Sequence, residues 1–157
     1  MPADPASNPA DDPLIRARQD WMSVLAKAPG TRLAAVMEAL GPEPAHSWLR
    51  APEFGAVMSR GRAGATGAPF NLGEITVTRC SLRLEDGTVG HAYIAGRDAD
   101  HARRAALCDA LLQGPRAAEL QATVIAPLRA DLARAAAEAE ARADKTRVDF
   151  FTMVRGE

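Results

Sequence analysis

Glu74-Ile75-Thr76-Val77-Thr78-Arg79-Cys80-Ser81-Leu82-Arg83-Leu84 is followed by Glu85-Asp86-Gly87, and then by Thr88-Val89-Gly90-His91-Ala92-Tyr93-Ile94-Ala95. The first run alternates and carries β-branched residues, and Asp86-Gly87 is a strong short-range hairpin signal. Read as a two-residue turn, it pairs Glu85 with Thr88, Leu84 with Val89, Leu82 with His91 and Cys80 with Tyr93. One face then holds Leu84, Leu82, Cys80, Val89, His91 and Tyr93, and the other Arg83, Ser81 and Arg79. A slip of one residue would exchange the faces, so the assignment rests on the turn type.

Upstream of this hairpin, Ser47–Arg50 and Glu53–Arg60 read as extended segments separated by Pro52. The loop Gly61-Arg62-Ala63-Gly64-Ala65-Thr66-Gly67-Ala68-Pro69 then leads into the alternating run. Nearer the N-terminus, Asp11 and Asp12 precede Pro13, a helix start with proline in the first turn. Leu14, Arg18, Trp21, Leu25 and Ala28 recur at helical spacing until Pro29-Gly30. Thr31 is placed to cap a second helix with Leu33, Val36, Met37 and Leu40 on its buried face, ended by Gly41-Pro42. Residues 1–12, with Pro2, Pro5 and Pro9 and no apolar period, are expected to form a disordered lead-in.

Downstream, Asp98 is a good cap for a helix from about Ala99 to Gln113, striped by Leu107, Cys108, Leu111 and Leu112. Gly114-Pro115 ends it. Leu120, Val124, Ile125 and Leu128 mark another helix, which Pro127 should kink or restart. From Leu128 to Lys145 the chain is alanine-rich, helical by propensity and poor in large apolar groups. The last ten residues hold half of the phenylalanines, and so short an apolar end needs a groove or a sheet edge. The expected fold is α+β: an N-terminal helix pair, an antiparallel sheet of about four strands, C-terminal helices and an extended apolar tail over 148–157. Residues 13–157 form one domain.

The composition supports a single soluble globular unit of 157 residues, 47% hydrophobic and 25% charged. A formal charge of −1 offers no global field toward nucleic acid or an anionic membrane. There is no bilayer-spanning run and no secretory pattern, so the expected compartment is the cytoplasm. Few aromatics and many alanines leave little apolar area per residue to bury, which suggests surface completed by a partner.

Catalytic patterns are sparse. His46, His91 and His101 lack metal spacing, and Cys80 and Cys108 fall on apolar faces, where free cysteine is an inert small hydrophobe. His91 reads as a hydrogen-bonded, semi-buried histidine. The glycine loop lacks the Lys-Ser/Thr pair of a P-loop and reads chiefly as a crossover, although its amides could bind an anion. Arg97 and His101 at a helix N-terminus, with Arg79 from the hairpin, are candidates to hold a phosphate or phosphonate. Against this, Asp98 and Asp100 already put negative charge there, and capping with surface ion pairs accounts for the same residues. A helix-turn-helix regulator is a further reading, but Thr31–Leu40 offers only Arg32 as a cation, so no nucleic-acid partner is expected.

Several ordered segments carry a resemblance: Arg18–Ala26, Gly73–Arg79, Leu84–Gly90, Gly96–Ala102, Asp109–Gln113 and Val148–Gly156. Together they resemble the G-subunit (PhnG) family of the bacterial carbon–phosphorus lyase system, over roughly residues 14–157. The resemblance implies a role in phosphonate catabolism within a core complex of G, H, I and J subunits, two copies of each. It further implies, with the H, I and ATP-binding L subunits, conversion of ATP and an alkylphosphonate to ribose 1-alkylphosphonate 5-triphosphate and adenine. Nucleosidase chemistry belongs to the I subunit in that scheme, and radical cleavage with S-adenosylmethionine and an iron–sulfur cluster to the J subunit. No catalytic residue or cofactor is implied for this chain. Its expected role is a noncatalytic assembly subunit, most directly against the I subunit, with Phe150, Phe151, Met153, Val154 and Arg155 at the interface. The alternative is a subunit that lends phosphonate- or nucleotide-binding residues to a shared active site.

Overall fold

A computed structural model describes residues 12–63 and 66–146. Lead-in residues 1–11 and the tail 148–157, with Phe150, Phe151, Met153, Val154 and Arg155, lie outside the described residues. The order is α1 (Pro13–Lys27), α2 (Gly30–Glu38), β1 (His46–Gly61), β2 (Phe70–Leu84), β3 (Val89–Ala95), α3 (Ala99–Leu111), α4 (Ala117–Leu120) and α5 (Ala126–Asp144). The fold is α+β, with an antiparallel sheet in the order β1-β2-β3 and helices packed on one face.

Helix starts follow the local chemistry. The Asp12 carboxylate accepts the Leu14 N–H at 2.9 Å and Pro13 needs no donor partner there. Asp98 accepts the His101 N–H at 2.8 Å to cap α3. The second helix departs from expectation: it starts at Gly30, behind Pro29, with no side-chain cap, so Thr31 lies inside its first turn.

The sheet brings two corrections. The extended segments around Pro52 are one 16-residue strand, with register shifts between Trp48 and Arg50 and between Arg50 and Glu53. Pro52 is tolerated because β1 is an edge strand and the shifts absorb its missing N–H. The hairpin turn contains three residues rather than two. Gly87 N–H donates to the Leu84 carbonyl at 3.0 Å, Leu84 N–H to the Thr88 carbonyl at 2.9 Å, and Thr88 N–H to the Asp86 carboxylate at 2.8 Å. Gly87, at φ +89°, takes the left-handed position such a loop requires. The pairs are therefore Arg83–Val89, Leu82–Gly90, Ser81–His91, Cys80–Ala92 and Arg79–Tyr93. The return strand is turned over: Gly90, Ala92 and Ile94 face the helices, while His91 and Tyr93 join Arg79, Ser81 and Arg83 on the open face.

The core lies between the helix-side face and α1, α2, α3 and α5, built on Leu25, Leu33, Leu82, Ile94, Leu107, Ile125 and Leu128. Alanines set its thickness. Ala102, Ala105, Ala106 and Ala110 on α3 are buried, and a Cβ on Gly90 would lie 1.9 Å from the Ala106 carbonyl oxygen. Strand β3 and helix α3 thus touch backbone to backbone, an approach only small residues permit. At Pro127 the helix restarts without a gap, the proline standing in the first turn of α5. A π-helical turn over Gln121–Ile125, closed by Ala126 N–H onto the Gln121 carbonyl, precedes the proline and carries the helix into α5.

Candidate functional site

Asp109 is the most heavily bonded side chain of the interior. It is fully buried on α3. Its two oxygens accept Arg18 Nε at 3.1 Å, an Arg18 terminal nitrogen at 2.7 Å, Trp21 Nε1 at 2.9 Å and the His91 backbone N–H at 2.9 Å. That fills a carboxylate's acceptor capacity. Arg18 and Gln113 also donate to the Val89 carbonyl, so the outer edge of β3 is tied to α1 and α3. The cluster is a structural knot with no acceptor left for chemistry.

The thiols are equally committed. Burial pushes Cys80 up to about 11; burial, and secondarily the Asp109 charge, pushes Cys108 up to about 12. Neither supplies thiolate near neutral pH.

The three anion-site candidates do not converge. His101 is only 7% exposed, and its Nε2 donates to the Leu25 carbonyl at 2.8 Å, tying α3 to the end of α1. Arg97 is exposed, with its guanidinium carbon 5.6 Å from the centroid of the Phe54 ring. It is held there by Thr78, whose buried hydroxyl donates to the Gly96 carbonyl at 2.7 Å and accepts the Asp98 N–H at 3.1 Å. Arg79 lies on the open face, donating to Glu53 at 2.6 Å. Phe54 pairs with Thr78 and Glu53 with Arg79, so Arg97's aromatic platform and Arg79 project from opposite faces. Arg103, near the same helix end, is paired with Glu43 and Asp100. His91 is exposed and hydrogen-bonded to the Ser81 hydroxyl at 2.8 Å, at the mouth of a hollow of about 290 Å³ between α1 and β3, lined also by Met22, Ala26 and Tyr93.

Part of what the molecule presents outward is apolar. Beyond the last pair with β3, Val77–Ala95, residues 56–61 and 70–76 are laddered only as a two-stranded ribbon. At about 3.3 Å per residue it extends about 20 Å. Val57, Ile75 and Phe70 project from one face, and Met58 from the other, with Phe54 at the base. Leu72 is 61% exposed, and Phe54, Met58, Phe70 and Ile75 are each about half exposed. Trp48, Leu49 and Tyr93 add exposed apolar surface nearer the body. The sequence predicts extended segments here over Glu53–Arg60 and from Glu74 onward, but not the start of β2 at Phe70. The exposure was not legible, because it depends on β3 stopping at Ala95 while β1 and β2 continue.

Comparison with known proteins places these features in context. The family described as "Phosphonate metabolism protein PhnG" matches residues 16–156. A protein of Rhizobium meliloti (strain 1021), described as alpha-D-ribose 1-methylphosphonate 5-triphosphate synthase subunit PhnG, is 43% identical over 155 residues, 97% of each chain.

Proposed function

We propose, from the premise that this chain belongs to the PhnG family of phosphonate metabolism proteins, that it is a noncatalytic assembly subunit of a ribose 1-alkylphosphonate 5-triphosphate synthase. The complex would convert ATP and an alkylphosphonate to that product and adenine. Its partners are the H, I and J subunits, most directly I, with the ATP-binding L subunit taking part functionally, and the cofactors belong to those chains.

The observation that carries this reading is the ribbon with wet apolar side chains on both faces. A chain that functioned alone would gain nothing from leaving Phe70, Leu72 and Ile75 half exposed or more. A subunit leaves such surface for its neighbours. The charged candidates fit the same reading, since Asp109, Arg79 and His101 are spent on internal ties. The terminal segment 148–157 is assigned to the same interface on its composition alone.

Co-expression with the I subunit tests assembly. The two should elute together from a sizing column, and separate elution would contradict the proposal. Arg97→Ala and Arg79→Ala separate the noncatalytic role from a shared active site. Both variants should assemble and release adenine within about twofold of the native rate, because one stacks on Phe54 and the other pairs with Glu53. Lost turnover in an intact complex would favour direct substrate contact.

A further inference from the structure

We propose that the β1–β2 ribbon is an arm that inserts into an apolar cleft on a sister subunit whose rim carries aspartate or glutamate side chains. This rests on the subunit reading above and specifies its partner surface. Large apolar groups project from both faces of the ribbon, so a flat partner on the face of Val57, Ile75 and Phe70 would leave Met58 and Phe54 uncovered. A cleft covers both.

Charge decides the character of the rim. Arg60 and Arg62 stand at the far end of β1, and Arg97 stands at the base over Phe54. None has a carboxylate partner among the described residues; Arg62 donates only to the Gly67 carbonyl, at 3.5 Å. Glu74, opposite Met58, is the exposed acid along the 56–61 and 70–76 stretch. Each end of the ribbon therefore carries a guanidinium group with no ion-pair partner among the described residues.

The same distribution argues against a second copy of this chain as the occupant. Two ribbons packed tip to tip would oppose Arg60 and Arg62 with themselves. Packed tip to base, they would oppose Arg60 and Arg62 with Arg97. Like charges meet in either arrangement, whereas carboxylates on a different chain would answer both ends.

The test uses the assembled complex purified from cells. A photo-crosslinking residue replaces Leu72 on the ribbon and, separately, Leu14 on α1, which is 79% exposed and away from it. Leu72 should crosslink to a sister-subunit peptide in which apolar residues are flanked by Asp or Glu, and Leu14 should not reach that peptide. The double variant Arg60→Glu/Arg62→Glu should bind the sister subunits at least about tenfold more weakly at low salt, with the gap narrowing as salt screens the pairs. Crosslinks between two copies of this chain, or native affinity in the charge-reversed variant, would overturn the arm. Co-purification of the sister subunits without a Leu72 crosslink would overturn the arm alone. Failure of the chain to co-purify with any sister subunit would overturn the underlying subunit reading.

Discussion

Asp109 concentrates much of what holds this molecule together at the level of single residues. Its carboxylate joins α1 through Arg18 and Trp21 to β3 through the His91 N–H. Removing it leaves three buried or half-buried donors without an acceptor. Asp109→Ala should therefore cost about 3 kcal/mol or more, read as a lower urea midpoint with an unchanged slope. Loss below about 1 kcal/mol would show that the knot matters little. The cysteines give a second test. Their folded-state values lie near 11 and 12, above the ordinary 9.0, so the folded chain holds these protons more tightly than the unfolded chain. The associated stabilisation is whole below pH 9 and is lost as pH rises toward 11 and 12. Stability should fall with that slope, and Cys80→Ala/Cys108→Ala should flatten it. None of this tertiary wiring could be read beforehand, since Arg18 and Asp109 are 91 positions apart and no local pattern links them.

At the scale of elements, legibility followed locality. Asp12-Pro13 and Asp98 announce helix starts through bonds reaching only two or three residues, and both helices begin there. The hairpin was legible, but its register was not. Asp86-Gly87 suits two turn lengths, and the bond from Thr88 N–H to the Asp86 carboxylate accompanies the three-residue one. That bond also holds the Asp86 carboxyl below its usual range. One added turn residue exposed His91 and Tyr93 and brought Gly90 against α3. His101 was hidden for a related reason: a first-turn histidine reads as exposed until α1 packs across it. Gly90→Ala tests the packing. Its Cβ would have to displace the Ala106 carbonyl, so a loss of about 3 kcal/mol or failure to fold is expected by thermal melting. A melting temperature within a few degrees of native would mean that β3 and α3 are not packed this closely.

Across the whole molecule, alanine has two uses. Inside, Ala102, Ala105, Ala106 and Ala110 bring helix and sheet into contact, which is a geometric role beyond their small apolar area. Outside, the distal part of α5, from Ala133 onward, is exposed. Apart from Leu14 and Ile15 on α1, the larger exposed apolar side chains among the described residues gather on the sheet and its ribbon. Polar replacement there, as in Phe70→Ser, should change the isolated chain's stability by less than about 0.5 kcal/mol while weakening assembly. A destabilisation of several kcal/mol would mean that the ribbon completes this fold instead of a neighbour's. The most direct measurement is hydrogen exchange followed by mass spectrometry on the peptide spanning 70–76, in the isolated chain and in the purified complex. The account predicts at least about tenfold slower exchange in the complex, since a covered ribbon stops opening to solvent. Equal exchange in the two states would contradict it.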